Sequence, residues 1–144
     1  MASGQTHVVK NAETKSPVTT SIILPAYNEQ QGIPVVLKNI FRAVDGVCEI
    51  LVIDDGSDDL TSDIASQFRC GVIKHTTNLG KGEALKTGIN YSRGEYVIFI
   101  DADGTYPAEV IPRMAEALES CDVVYCSRKY GLANMPLFNR LGNI

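Results

Sequence analysis

Hydrophobic and polar positions follow two alternating patterns from Ser21 onward. Short continuous apolar runs, typical of strands buried on both faces, alternate with stretches whose apolar residues are spaced three and four apart, as on one face of a helix. The apolar runs predict five strands, over residues 21–26, 49–54, 71–76, 96–101 and 122–127. Continuous apolar strands linked by helices indicate an α/β fold with an open, mainly parallel sheet and helices on both faces.

Four amphipathic helices are predicted between these strands. Pro34 and Pro112 stand where the first turns of the first and fourth helices are expected, which is where proline is tolerated. The second helix is predicted from Leu60, Ile64 and Phe68, spaced four apart, and should end near Arg69. The pattern therefore places one helix in each connection between successive strands.

The two ends of the chain differ from this regular part. Residues 1–19 are polar and rich in Ser, Thr, Lys and Asn, so they are predicted to be a disordered tail, and residues 20–144 to be the folded domain. After Ser127 a loop is predicted to Pro136, followed by a helix that begins at Leu137 and stops at the chain end. We therefore expect a domain that is incomplete at its C-terminus.

Composition narrows the class of protein. The 144 residues are 44% hydrophobic and 21% charged, as expected of one globular domain. The net charge of -4 gives no indication of nucleic-acid binding. The cysteines show no CxxC pairing that would predict zinc or a disulfide framework, and Cys48, Cys121 and Cys126 are predicted to be buried thiols in or beside strands.

Chemically unusual residues follow every predicted strand. In open parallel sheets, ligands bind outside the carboxyl ends of the strands. The loops at that edge are those over residues 25–29, 54–59, 78–82, 101–106 and 127–129. The loops at the opposite edge are ordinary connectors, so the sequence predicts a ligand site at the carboxyl edge.

Asp101 and Asp103 are the most informative pair in these loops. If the extended conformation continued past Ile100, both carboxylates would leave the strand on the same side, with Ala102 on the other. Two acids this close repel each other unless a cation lies between them or one keeps its proton, and Mg²⁺ completed by substrate phosphates fits the first case. An Asp-x-Asp-Gly segment also suits a turn and a helix N-cap. The spacing alone leaves both interpretations open.

Gly80, Lys81 and Gly82 precede the third predicted helix and suit either phosphate binding or a flexible helix start. They do not match a dinucleotide fingerprint, which would read GxGxxG after the first strand, nor the GxxxxGK[ST] of a P-loop. The Asp54-Asp55-Gly56-Ser57 segment is equally compatible with turn and cap chemistry. No single one of these loops decides the function.

Taken together, four motifs resemble glycosyltransferase family 2, the inverting enzymes with the GT-A fold. The motifs are PAYNE at 25–29, DDGSDDLT at 54–61, NLGKGEALKTG at 78–88 and DADGTYP at 101–107. The resemblance covers residues 20–144 and is nearest to the dolichyl-phosphate and polyprenyl-phosphate hexosyltransferase branch.

The resemblance implies a nucleotide-sugar site and an acceptor site. The nucleotide-sugar site would comprise Pro25, Ala26, Tyr27, Glu29, Asp54, Asp55, Gly56, Lys81, Asp101, Ala102 and Asp103. Within it, Asp55 would accept a hydrogen bond from the base imide, and Lys81 would lie near the base or ribose. Arg128 and Arg140 would hold the acceptor phosphate.

The same resemblance assigns Asp101 and Asp103 to catalysis, as ligands of a Mg²⁺ or Mn²⁺ ion on the diphosphate. In the dolichyl-phosphate mannosyltransferase members, a glutamine two residues beyond the second aspartate also reaches the metal. Thr105 occupies that position in this chain and is the expected third ligand.

The implied reaction moves a hexose from a donor of the GDP-mannose or UDP-glucose type to a polyprenyl or dolichyl phosphate. Metal-assisted, inverting displacement needs no general base, because a phosphate monoester is already nucleophilic at neutral pH. The resemblance also implies peripheral membrane contact through the part that completes the acceptor site. The net charge favours no nucleic-acid partner, and the lack of an apolar leader or membrane-spanning run predicts a cytoplasmic location, at or near the cytosolic face of a membrane.

Two alternatives remain open. The segment VIFIDADGT at 97–105 also matches the hhhhDxDGT motif of haloacid-dehalogenase-type phosphohydrolases, in which Asp101 would be the nucleophile and Asp103 a general acid. That motif normally opens its domain, whereas here three other motif loops precede it. The second alternative is a nucleotide-binding fragment without catalytic activity.

Overall fold

The computed structural model describes residues 7–9, 19–44 and 48–126. Its strands are β1 (His7–Val9), β2 (Thr20–Ala26), β3 (Cys48–Asp54), β4 (Gly71–Lys74) and β5 (Tyr96–Phe99). Its helices are α1 (Ile33–Ala43), α2 (Thr61–Ala65), α3 (Lys81–Tyr91) and α4 (Ile111–Leu118), with a short 3₁₀ helix (Ala108–Val110) before α4. The alternation of strands and helices predicted from the sequence is confirmed from β2 to α4.

The five strands form one sheet in the order β1-β4-β3-β2-β5. Strands β2 to β5 are parallel, and β1 pairs with β4 in the antiparallel sense. Ile22 of β2 lies in register with Ile50 of β3 and Ile98 of β5, so the middle of the sheet is a row of β-branched side chains. The prediction of an open, mainly parallel sheet is confirmed.

Helices cover both faces of the sheet because successive residues of a strand point to opposite sides. On one face, Ile22 and Leu24 of β2 pack in a core with α1 residues such as Leu37. On the other face, Ile23 of β2 packs in a smaller core with Ala84 of α3. The central strand β2 is therefore buried from both sides, as its unbroken apolar sequence predicts.

The C-terminal ends of α2, β4 and β5 differ from the sequence prediction. Helix α2 ends at Ala65 instead of near Arg69, because the Ala65 carbonyl accepts hydrogen bonds from the Phe68 amide and the Cys70 thiol and the chain leaves the helix in tight turns. Strand β4 ends at Lys74, two residues before its predicted end. Strand β5 ends at Phe99, two residues before its predicted end. It was expected to be buried on both faces, but Phe99 is 48% exposed. Among the described strands β5 pairs with β2 alone, so it lies at an edge of the sheet.

The prediction of a fifth buried strand over residues 122–127 is wrong for residues 122–126, the part that the structure describes. These residues form no strand, and the side chains of Val123 and Tyr125 are 61% and 90% exposed. None of the described strands pairs with this segment, and an apolar sequence alone does not make a ladder. The same exposure corrects the prediction that Cys121 and Cys126 are buried.

The N-terminal segment contains a strand that the sequence did not predict. His7–Val9 pairs with β4 through the register His7 to Lys74 and Val9 to Val72. This strand interrupts the segment that was expected to be a disordered tail. Apart from Thr19, the rest of that tail lies outside the described residues, as does the predicted helix from Leu137.

Candidate functional site

A cleft of about 370 Å³ lies at the carboxyl ends of the parallel strands. The chain proceeds from β2 to β3 and β4 on one side and returns to β5 on the other side of β2, so the strand order reverses between β2 and β5. Open α/β sheets bind ligands at such a switch point. The cleft is lined by Pro25, Ala26, Tyr27, Glu29, Asp55, Asn78, Gly80, Lys81, Ala84, Asp101, Ala102 and Asp103.

Most of the residues that the sequence assigned to nucleotide-sugar binding line this cleft. Asp54 and Gly56 are the two that do not. The Asp54 side chain is fully buried and accepts hydrogen bonds from the Ser57 amide and the Ser62 hydroxyl, and it lies 3.5 Å from the Lys74 ammonium. Gly56 has a φ of +75°, and a Cβ there would collide with the backbone after β4. Both residues build the loop instead of facing the cleft.

The loops after β2 and β3 are joined by hydrogen bonds between backbone and side chains. The Asn28 amide donates to the Ser57 hydroxyl at 2.9 Å, and the Asn28 side-chain oxygen accepts from the Asp58 amide at 3.0 Å. The Glu29 amide donates to the Thr61 hydroxyl at 2.8 Å. Asn28 holds a φ of +54°, which asparagine tolerates better than most residues. These bonds fix one wall of the cleft.

Asp55 lies at the floor of the cleft and is 3% exposed. Its carboxylate accepts hydrogen bonds from the backbone amides of Leu79 at 2.9 Å and Gly80 at 2.8 Å, and from Nδ1 of His75 at 2.7 Å. Three donors satisfy a buried carboxylate without a cation. Asp55 therefore fixes the loop that leads into α3 while it faces the cleft.

Lys81 is the first residue of α3 and follows Gly80, whose φ is +91°. Its ammonium lies 2.5 Å from a carboxylate oxygen of Asp101, although the family resemblance predicts a position near the base or ribose. The side chains of Lys81 and Asp101 are 61% and 30% exposed. This ion pair spans the cleft from α3 to the loop after β5.

Asp101 and Asp103 do not continue the extended conformation of β5. Residues 102–104 form a turn in which Gly104 has a φ of +76°, and both carboxyl residues line the cleft. The amide and the hydroxyl of Thr105 donate to the same Asp103 oxygen, at 2.9 and 2.8 Å. The turn thus brings the two acids to one cleft, and Thr105 orients Asp103.

The electrostatics of the cleft are dominated by acids. Burial raises the pKa of Glu29, and the negative charges of Asp103, Asp59 and Asp101 raise it further. A bound cation would offset the negative charge that raises the pKa of Glu29. The carboxylates of Asp101 and Asp103 fit a Mg²⁺-type ion that takes one or two protein carboxylates and completes its shell with phosphate and water. In the described ranges, no three or more His, Cys, Asp or Glu residues are grouped to hold a metal by themselves.

Several residues of this region were not predicted to have a role. His75, directly after β4, contacts Asp55, and its position at the carboxyl edge of a predicted strand was an available signal. Gly32 lies against the Ala102 backbone, and nothing local in the sequence marks it. Arg128 and Arg140, predicted to hold the acceptor phosphate, lie outside the described residues.

A family model described as "Glycosyl transferase family 2" matches residues 21–142. A dolichyl-phosphate hexose transferase from Haloferax volcanii is 36% identical over 126 residues, which cover 86% of this chain and 54% of the relative. The chain therefore spans about half the length of that curated relative. The match does not favour the phosphohydrolase alternative.

Solved structures are also similar to this chain. The mannosyltransferase PcManGT from Pyrobaculum calidifontis, in complex with GDP-Man and Mn²⁺, matches with a TM-score of 0.62 and 27% identity over 73% of this chain and 32% of its own. Glucosyl-3-phosphoglycerate synthase from Mycobacterium tuberculosis, in complex with Mn²⁺, UDP and phosphoglyceric acid, matches with a TM-score of 0.61 and 34% identity over 71% of this chain and 39% of its own. No helix within the described residues is long and apolar enough to cross a membrane.

Proposed function

Since the chain belongs to glycosyltransferase family 2, we propose that it transfers a hexosyl group from a nucleoside-diphosphate sugar to a polyprenyl or dolichyl phosphate. The observation that carries this proposal is the cleft at the switch point between β2 and β5. It brings the paired acids Asp101 and Asp103 into one cleft with Tyr27 and Asp55. A diphosphate beside the acids and a base beside Tyr27 and Asp55 would both lie in this cleft.

The donor would be held by residues that the cleft already brings together. Within the described ranges, one Asp55 carboxylate oxygen has a single protein donor, the Gly80 amide, so this oxygen has capacity to accept from a base imide. Pro25, Ala26 and Tyr27 supply an apolar and aromatic edge against which a base can pack. Lys81, freed from Asp101, is placed to neutralise phosphate charge.

Asp101 and Asp103 would hold a Mg²⁺ or Mn²⁺ ion, whose contribution when bound is to stabilise negative charge on the departing nucleoside diphosphate. The proposal is supported by the two carboxylates in the cleft and by the raised pKa of the neighbouring Glu29. Thr105 contributes by orienting Asp103 through two hydrogen bonds, and we propose this in place of direct ligation.

The acceptor would be a lipid phosphate bound by Arg128 and Arg140. Guanidinium groups suit phosphate because they form paired, charge-assisted hydrogen bonds. An acceptor phosphate oxygen would attack the anomeric carbon while the bond from that carbon to the diphosphate breaks, which inverts the configuration. Similarity to a dolichyl-phosphate hexose transferase supports this choice of acceptor. Contact with a membrane surface would follow from it.

The test is thermal stability of the chain with UDP, GDP and Mn²⁺. A ligand at 100 times its Kd stabilises the native state by about 2.7 kcal/mol. For a domain of this size, that corresponds to a rise in Tm of roughly 8 °C. We expect this rise with one nucleoside diphosphate and Mn²⁺ together, and no rise in excess chelator. Equal stabilisation in chelator would contradict metal-bridged binding.

Two variants and an activity assay separate the parts of the proposal. Asp101→Asn should weaken metal-dependent binding, whereas Asp55→Ala should weaken nucleotide binding even at saturating Mn²⁺. Transfer of labelled hexose to a polyprenyl phosphate tests the acceptor. Binding of the donor without transfer would support the donor half of the proposal and contradict the acceptor half.

A further inference from the structure

His75 is a buried polar residue that links the floor of the cleft to α3. Its side chain is 3% exposed and lies directly after β4. Nδ1 is 2.7 Å from the Asp55 carboxylate, and Nε2 is 2.9 Å from the hydroxyl of Thr87 in α3. The imidazole therefore bridges a cleft residue and the middle of the helix that begins with Lys81.

The roles of the two ring nitrogens follow from their partners. A carboxylate only accepts, so Nδ1 carries a proton and donates to Asp55. Thr87 has a hydroxyl that can donate to Nε2, so a neutral ring satisfies both contacts. The same Asp55 oxygen that accepts from Nδ1 also accepts from the Leu79 amide, while the other oxygen accepts from the Gly80 amide. His75 thus restrains one Asp55 oxygen, and the oxygen that accepts from the Gly80 amide is the one left to accept from a base.

The backbone around the pair is also fixed. The Asp55 amide donates to the Ala26 carbonyl at 2.8 Å, and the His75 amide donates to the Asp54 carbonyl at 2.8 Å. These bonds hold the ends of β2, β3 and β4 in register at the cleft. Because both backbones are anchored, the Asp55 carboxylate can move only by rotation about its side-chain torsions, and the His75 ring restricts that rotation.

We propose that His75 is a positioning residue for nucleotide recognition: it orients the Asp55 carboxylate toward the base and couples that orientation to α3. This inference rests on the proposed function, because it requires Asp55 to meet the base. Removing His75 leaves Asp55 held by two amides of one loop and free to turn with that loop. Recognition of the base should then weaken, whereas the diphosphate end of the site, on Asp101 and Asp103, should not change.

The experiment compares two ligands, each measured by calorimetry with saturating Mn²⁺. One is the nucleoside diphosphate that binds the unaltered chain, UDP or GDP, and the other is inorganic pyrophosphate, which lacks the base. His75→Ala should raise the Kd of the nucleoside diphosphate about tenfold or more, as expected for loss of a charge-assisted hydrogen bond. The Kd of pyrophosphate should remain within about threefold, the range of an indirect effect.

Two conservative variants keep the test decisive if His75→Ala folds poorly. The amide nitrogen of Asn can take the place of Nδ1, so His75→Asn should bind the nucleoside diphosphate nearly as the unaltered chain does. The amide of Gln reaches the place of Nε2 instead, so His75→Gln should behave as His75→Ala. Ser21→Ala is the structural control: it removes a buried hydroxyl bonded to Glu49 at the other end of β2 and should lower Tm without changing either Kd.

Nucleoside diphosphate affinity that is unchanged in His75→Ala would overturn the inference and leave the proposed function standing. The inference would also be overturned if His75→Ala weakened the binding of both ligands equally, or if His75→Asn and His75→Gln weakened nucleoside diphosphate binding equally. Either result would show a general structural role. If the unaltered chain binds pyrophosphate as tightly as every nucleoside diphosphate, base recognition fails, and the donor assignment falls together with this inference.

Discussion

The replacement of Gly32 by alanine tests how closely the acidic loop is held against α1. Gly32 is the residue before the first turn of α1, with φ and ψ of -76° and -44°, a conformation that alanine adopts without strain. A Cβ at this position would lie 2.4 Å from the backbone oxygen of Ala102, between the two acids of the cleft. The substitution therefore adds one methyl group at the contact between α1 and the Asp101–Asp103 turn.

The size of the effect follows from the distances. Carbon and oxygen atoms in contact settle at about 3.3–3.6 Å, so the Ala102 backbone must move away from its 2.4 Å position by about 1 Å. Overpacking of this kind costs about 1–3 kcal/mol. We expect Tm to fall by roughly 3–9 °C for a domain of this length. Because the moving atoms join Asp101 to Asp103, Mn²⁺-dependent nucleotide binding should weaken about tenfold or more.

Gly82→Ala is the matched control, since it makes the same chemical change in the first turn of α3. A Cβ at Gly82 would meet no atom within 4 Å. Alanine favours helix over glycine by about 1 kcal/mol, so this variant should be as stable as the unaltered chain or more stable. Scanning calorimetry and titration of both variants with Mn²⁺ and nucleotide make the comparison.

The reasoning would be refuted if Gly32→Ala melted at the temperature of Gly82→Ala and bound Mn²⁺ and nucleotide equally well. That result would show that the turn after β5 moves to accommodate the added methyl group without loss of stability or of binding. A loss of stability with unchanged binding would support the close packing of Gly32 against Ala102. It would contradict the claim that this contact controls the positions of Asp101 and Asp103.

Three further predictions concern charge and burial. Lys81→Met should strengthen the binding of Mn²⁺ alone, measured by calorimetry, because it removes a competing cation 2.5 Å from Asp101; unchanged affinity would contradict this. Glu29→Gln should raise Tm in metal-free buffer at pH 7 and not at pH 3. Burial and neighbouring acids raise the pKa of Glu29 in the folded state, so its contribution to the free energy of unfolding is fully present below the unfolded-state pKa and is lost as pH rises through the folded-state pKa. Alkylation followed by mass spectrometry should modify exposed Cys121 quickly and Cys70, whose burial raises its pKa to about 12, only on unfolding.

The sequence predicted the parts of the fold that depend on local patterns. Each of β2 to β5 lies within or overlaps a predicted apolar run, and each helix from α1 to α4 overlaps a stretch whose apolar residues are at helical spacing. The exposure of Phe99 was not predictable in the same way, because it depends on which elements pack over that part of the sheet. The early end of α2 depends on the Cys70 thiol reaching the Ala65 carbonyl, a contact that spacing does not reveal.

The sequence located the cleft but not the division of roles within it. The rule for parallel sheets brings the five loops to one edge without saying which side chains face inward. Asp54 and Asp55 are adjacent residues of the same type, yet Asp54 supports its own loop while Asp55 lies in the cleft. Successive residues at the end of a strand point to opposite sides, so only the three-dimensional arrangement of the neighbouring loops decides which acid is available to a ligand.

The bonds that join the loops after β2 and β3 have a consequence for exchanging loops between relatives. Asn28 both donates to Ser57 and accepts from Asp58, so each loop donates a hydrogen bond to the other. A chimaera that takes one of these loops from a relative would leave amides of the other without acceptors. The two segments should therefore be transplanted as a pair, with crossover points inside β2 and β3 and not at the loop ends.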